Sequence, residues 1–183
     1  MAGSILGNRV LRKEDPKFLT TGGVYVDDIN NEPLLVGALH ATFVRSTVAH
    51  ATITSIDISD ALESPGVVAI YTAADLNLQP VAATYNPTAK RTLLASNKVR
   101  YVGEPVAVVL TKLANQGEDA AEKVIVDYDT LEVLIDIEQA MTSTTLIYEE
   151  CGSNVVFDST AIGMPDNTGD TMFADCEVVV KGR

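Results

Sequence analysis

The chain alternates short apolar runs with polar punctuation, and the runs are rich in β-branched residues. This pattern predicts a strand-dominated fold with a few short helices. The first strong run, Leu34 to Val44, is interrupted only by Gly37 and His40 and reads as a strand covered on both faces. Within it His40 reads as a satisfied core or edge residue. Ala49 to Ile58 reads as a second strand, with Ile53, Ile56 and Ile58 as core candidates. The spacing of Ile53 and Ile56 breaks a period of two, so a bulge is expected between them. Ser59 is placed to cap a short helix through Ala61 and Leu62, which Ser64-Pro65-Gly66 then stops. Val67 to Tyr71 follows as a strand and Thr72 to Leu76 as a single helical turn.

Residues 77–97 carry Pro80, Asn86 and Pro87 and few periodic apolar positions, and they read as a long loop. Lys98 to Leu110 then gives two short strands around Gly103-Glu104-Pro105, the second being an unbroken apolar run. Thr111 is the expected cap of a helix over Lys112 to Lys123, with Leu113, Ala120, Ala121 and Val124 on one face. Gly117 inside that helix is expected to cost about 1 kcal/mol relative to Ala. Val124 to Tyr128 and Leu131 to Ile135 read as strands, and Asp136 as the cap of a helix over Ile137 to Met141. Residues 1–23 read as an extended polar arm with a turn at Asp15-Pro16, and 151–175 as a linker. Val178 to Val180 begins one more strand, which implies that the sequence continues.

Composition narrows the function classes. With 46% hydrophobic and only 5% aromatic residues and no Trp, the core must be built from Val, Ile, Leu and Ala. A formal net charge of -12 with scattered Lys and Arg disfavours nucleic acid and anionic membrane surfaces as partners. No window reaches transmembrane length, and the first residues lack the basic and apolar regions of a secretory leader. A cytoplasmic protein is therefore expected. Cys151 and Cys176 show no metal-ligand spacing and read as reduced thiols.

The chemistry-bearing motifs are sparse. The sequence lacks a Gly-x-Ser-x-Gly elbow and a phosphate loop ending in Gly-Lys-Ser/Thr. Asp27-Asp28 and Glu149-Glu150 are adjacent pairs, which point opposite ways in a strand and so favour solvated or capping roles over acid–base partnership. His50 beside Arg45-Ser46 reads as a hydrogen-bonded turn residue. Glu104 is the carboxylate with a definite orientation, because Pro105 fixes the backbone after it and Gly103 precedes it. Two roles are open to it: accepting backbone N–H bonds or pairing with Arg100, and orienting a partner surface. No residue is assigned a catalytic, cofactor-binding or metal-binding role; Arg45, His50, Gly103, Glu104 and Pro105 are the docking or structural candidates.

A set of segments in order carries a family resemblance. They include Arg12 to Pro16, Gly22 to Asp28, Phe43-Val44-Arg45-Ser46 with Ala49-His50-Ala51, and Ser64-Pro65-Gly66-Val67-Val68-Ala69. Tyr101 to Ala107, Asp119-Ala120-Ala121-Glu122, Val126-Asp127-Tyr128, Gly152 to Val155 and Val178 to Arg183 complete it. In this the chain resembles the N-terminal domain of molybdenum-hydroxylase large subunits, the aldehyde oxidase and xanthine dehydrogenase family, on its carbon-monoxide-dehydrogenase-like side. The resemblance implies an α+β fold, an α/β-hammerhead with a mixed β-sheet and two to three helices. It implies residues 1–23 as an arm, 24–150 as the hammerhead domain, and 151–183 as a linker and first strand leading to molybdopterin-binding domains that this sequence lacks. It also implies a non-catalytic structural and assembly role in an oxidoreductase that uses water-derived oxygen. The holoenzyme would use molybdopterin cytosine dinucleotide, iron–sulfur clusters and FAD, with none bound by this chain alone. The partners would be the remaining large-chain domains and the iron–sulfur and flavin modules, and exposed sheet edges would favour self-association. The departures are the missing downstream motifs, the unmatched 77–97 segment, and Gly117 where Ala is expected. From another functional class, a loop 77–97 closing a pocket against the 112–123 helix would make the chain an independent small-molecule-binding module.

Overall fold

The computed structural model describes residues 12–20, 22–23, 25, 33–158 and 173–180. The chain divides into two compact units, Met1–Leu39 and His40–Arg183. In the first, Asp15–Thr20 forms helix α1, although these residues read as part of an extended arm. Pro16 sits in the first turn, where a missing N–H costs nothing, so Asp15-Pro16 opens a helix instead of a turn. The Thr20 hydroxyl closes α1 by donating to Pro16 O at 2.6 Å. Pro33–Leu35 is a 3-10 turn, and Gly37 takes φ +79°. The strand expected from Leu34 therefore starts only at His40. Asp27-Asp28 lies outside the described residues.

Among its described residues the second unit holds two three-stranded sheets and a two-stranded ribbon, and each of these ladders is antiparallel. The first sheet has the order β1-β7-β3, from His40–Arg45, Pro105–Thr111 and Val67–Thr72. The second has the order β6-β2-β8, from Lys98–Val99, Ala51–Asp57 and Ile125–Thr130. The strands thus divide into small sheets within the α+β class. β7 is central in its sheet, as an unbroken apolar run demands, and buries Val106, Ala107, Val109 and Thr111. β1 is an edge strand with His40 exposed, so only Val44 on it is buried. The bulge expected in β2 is present: the register with β8 shifts between Ile53 and Ser55.

The helices are short and capped in ways only partly readable from sequence. Helix α2, Ser59–Leu62, begins at Ser59, whose N–H donates to Asp57 Oδ1 at 2.9 Å; Ser59 does not cap it. Helix α3, Ala73–Leu76, carries a full capping box between Thr72 and Asp75. Helix α4 is confined to Asn115–Ala121 with Ala114 at its N-cap, and the Thr111 hydroxyl donates to Leu113 O and does not cap it. The buried face of α4 is Gly117 and Ala120, while Leu113 is exposed. Helix α5, Ile137–Thr142, starts as expected with Asp136 accepting from Gln139 N–H at 2.9 Å.

Residues 77–97, expected as a loop, contain a ribbon: β4 is Val81–Ala83 and β5 is Asn86–Arg91. Leu94 and Ala95 after it are buried, and Ala95 N–H donates to Pro105 O at 2.8 Å. Polar, Pro-bearing strands hide from a pattern search because a two-stranded ribbon buries little of either face. Leu131 to Ile135 forms no strand: Leu131 N–H goes to His50 O and Ile135 is 88% exposed. Val178 to Val180 likewise joins no ladder among the described residues. Residues 151–158 fold back, with Asn154 bonding Ile147 N, Ala140 O and Thr145 O. A T-shaped contact of Tyr85 and Phe157 adds to this.

Gly117 reverses its expected sign. A Cβ placed there would lie 2.9 Å from Cβ of Thr42 on β1, a backbone-tethered atom that cannot move aside cheaply. The glycine is what lets α4 lie against β1. Gly117→Ala is therefore expected to destabilise the chain by about 1–3 kcal/mol through overpacking, not to stabilise it by about 1 kcal/mol through helix propensity. Urea unfolding of the two proteins decides the sign.

Candidate functional site

Four of the five residues singled out by sequence converge on one knot between the end of β1 and the start of β7. Tyr101 to Glu104 forms a tight turn, with Glu104 N–H donating to Tyr101 O at 3.2 Å. Gly103, third in that turn, has φ +90°, the conformation a type II turn requires there. Nothing crowds the space a Cβ would fill at Gly103, so the dihedral alone demands glycine. Across from it, Ser46 N–H donates to Glu104 O and Gly103 N–H donates to Ser46 O, both at 2.8 Å. The Arg45 guanidinium adds a bond to Gly103 O at 2.9 Å and lies 5.8 Å from the Phe43 ring centroid. The register shift between Val44 and Arg45 places Arg45 opposite Pro105 and permits this reach.

Glu104 is buried, and its Oε2 accepts the Arg100 N–H at 2.5 Å. This is the backbone-accepting role, and the Arg100 guanidinium is occupied elsewhere. Its Nε donates to Ile147 O at 3.0 Å and it stacks 4.7 Å from the Tyr148 ring centroid. Burial pushes the Tyr148 phenol above its ordinary value, against the pull of the Arg100 charge. The segment 147–154 that completes this cluster shows no periodicity, so its partnership with Arg100 and Lys98 has no local signal in the sequence.

His50 stands apart from the knot. It is buried, its carbonyl accepts Leu131 N–H at 2.9 Å, and its ring Nδ1 lies 2.6 Å from Glu132 O. A carbonyl only accepts, so Nδ1 carries the proton. The residue clamps the chain leaving β8, while its Nε2 is buried without a partner among the described residues. A cavity of about 340 Å³ opens beneath the β4–β5 ribbon. Residues 95–104 close it, not helix α4 as the sequence suggested.

The model of the aldehyde oxidase and xanthine dehydrogenase a/b hammerhead domain matches residues 20–132. The chain belongs to this family. It is 39% identical over 158 residues to the nicotine 6-hydroxylase large subunit of Paenarthrobacter nicotinovorans, covering 83% of this chain and 19% of that one. It is 43% identical over 139 residues to the carbon monoxide dehydrogenase large chain of Afipia carboxidovorans, covering 74% of this chain and 16% of that one. The solved structure of quinoline 2-oxidoreductase from Pseudomonas putida 86 superposes with a TM-score of 0.69 at 35% identity, over 82% of this chain and 20% of that one. The chain thus spans about a fifth of the length of these relatives.

The chain's thiols do not fit an iron–sulfur cluster. A four-cysteine iron–sulfur cluster needs more thiols than the two in this sequence, Cys151 and Cys176, which are not bonded to each other. Among the described residues no group of three or more His, Cys, Asp and Glu side chains could hold a metal.

Two outcomes follow for the hammerhead domain's knot. Glu104→Ala is expected to cost about 1–3 kcal/mol, since the Arg100 N–H loses its acceptor, and Glu104→Gln, which keeps an oxygen there, to cost less. Equal losses in urea unfolding would mean that charge and not acceptor geometry holds the turn. The Lys98 hydrogen bond, then a backbone N–H bond, holds the Glu149 carboxyl below its ordinary value. A lowered folded-state value means stability present above the unfolded value and lost as pH falls through and below the ordinary carboxylate range. Unfolding midpoints at neutral and acid pH should therefore fall further for the native chain than for Glu149→Gln. The difference will be small, because the Glu149 side chain is 54% exposed.

Proposed function

We propose that this chain is a non-catalytic structural and docking domain of a molybdenum-hydroxylase large subunit. The observation that carries the reading is where the polar groups go. In a domain that matches the family's hammerhead model, the residues best placed for chemistry at the knot are spent on its own backbone. A buried carboxylate that accepts a fixed N–H and an arginine that bonds a turn carbonyl hold strands in place. They leave no paired acid and base at a reacting centre.

In this reading the remaining large-chain domains hold molybdopterin cytosine dinucleotide, and separate modules carry the iron–sulfur clusters and FAD. The cofactor set supplies oxidation of an aldehyde, purine, N-heterocycle or carbon monoxide with oxygen from water. This chain's residues position and brace. The same reading has the assembly work in the cytoplasm. Among the described residues no helix is long and apolar enough to cross a membrane. The cavity beneath the ribbon favours a second reading, in which the domain holds a small molecule on its own.

Mixing the chain with the separately produced remainder of a family large chain should give a stable complex at micromolar concentration by gel filtration and calorimetry. No detectable association between folded components would overturn the docking reading.

A further inference from the structure

We propose that the cavity beneath the β4–β5 ribbon binds a small phosphorylated, hydroxyl-bearing molecule. This rests on the small-molecule reading of the domain and is independent of its docking role. The cavity, at about 340 Å³, is in the range of sites that enclose metabolites. Three cations line it, Lys90, Arg91 and Arg100, in a chain whose formal net charge is -12. The Lys90 and Arg91 side chains have no hydrogen-bond or ion-pair partner among the described residues, where the salt bridge is that of Lys98 with Glu149. Arg91 and Arg100 thus share the lining with Lys90, from the end of β5 and from the segment after β6.

Arg100 is preorganised. Its Nε bonds Ile147 O, and its Nη1 lies 3.4 Å from Lys98 O. Stacking on Tyr148 fixes the plane, and the remaining N–H donors are uncommitted. A fixed guanidinium beside a second guanidinium and an ammonium is the donor set that phosphate oxygens match in pairs. The rest of the lining explains why a bare anion is not the best ligand. Glu104 and Glu150 also face the cavity and would repel it. Thr92 donates its hydroxyl proton to Leu94 O and keeps its oxygen as an acceptor, while Thr88 donates to Asn86 Oδ1 and has Cys151 Sγ 3.6 Å from its oxygen, which leaves one lone pair there. A ligand with hydroxyl donors beside its phosphate satisfies these acceptors and carboxylates together.

Titration calorimetry of the 183-residue chain with glucose 6-phosphate, inorganic phosphate and glucose at fixed ionic strength tests the proposal. Glucose 6-phosphate should bind saturably, phosphate more weakly and glucose not at all. Arg91→Ala and Lys90→Ala, both at exposed positions and checked for folding by circular dichroism, should each weaken glucose 6-phosphate binding about tenfold. Lys112→Ala, an exposed cation away from the cavity, should leave it unchanged. Three results would each overturn the proposal. One is a lack of saturable glucose 6-phosphate binding by the folded chain up to about 10 mM. Another is phosphate binding as tightly as the sugar phosphate, and the third is an equal loss in Lys112→Ala. None of these bears on association with the large-chain remainder, so the two readings fail separately.

Discussion

The fold depends on the pair of backbone hydrogen bonds that tie Ser46 to Gly103 and Glu104. They join the end of an edge strand to the turn that launches the central strand, and so set where β7 enters its sheet. Two devices make the pair possible. The shift between Val44 and Arg45 brings the chain into reach, and the positive φ of Gly103 turns its N–H toward Ser46 O. The Glu104 carboxylate then secures the base of the turn through Arg100 N–H, and Pro105 O receives the Ala95 N–H that anchors the segment after the ribbon. One turn thereby positions β1, β7 and the cavity wall. Losing an acceptor there exposes a chain of dependent bonds, which is why a single buried carboxylate matters more than its share of the surface.

The core this knot organises is built from small side chains. Its fully buried members of largest volume are Leu94, Val99, Val106, Val109 and Thr111, and no aromatic ring is among them. A core of small residues gains stability by close approach, since each side chain contributes little area of its own. Gly117 is the sharpest case, where helix α4 comes near enough to Thr42 that even a methyl group does not fit. Local propensity and tertiary packing make opposite demands at this position, and packing prevails because an overlap costs more than a helix-propensity difference.

Much of the fold was legible wherever a residue's local chemistry determined its structure. The β7 run, the β2 bulge, the Asp136 cap and the Thr72 turn all follow from period or capping chemistry within a few residues. The errors arose where distant partners decide. Leu34 to Leu39 has strand composition but joins no ladder among the described residues, and Leu131 to Ile135 is diverted by its bonds to His50. The β4–β5 ribbon is polar enough to pass for a loop. At the knot, Gly103, Glu104 and Pro105 were readable as a fixed turn. That Arg45 and Ser46 would meet them, and that His50 would not, depends on sheet order, which no local pattern encodes. Arg100 was visible only as a charge near Glu104; its three-way role comes from residues 98 and 147–148.

The domain is uneven in how completely it satisfies itself. At the knot, backbone donors and acceptors are paired within the chain, as in a finished interior. The stretch after β8 is different. Ile135 and Ile137 are 88% and 81% exposed, and Met141, one turn beyond Ile137 on α5, is 62% exposed. Isoleucine and methionine one helical turn apart present one apolar face, and carboxylates at Asp136 and Glu138 flank it. A lone exposed isoleucine has no special meaning, but apolar side chains grouped beside internally satisfied structure set this stretch apart from the knot. What is finished here is the strand framework, and what is open is the apolar face around α5, where burial would return the transfer free energy that the small-residue core cannot supply.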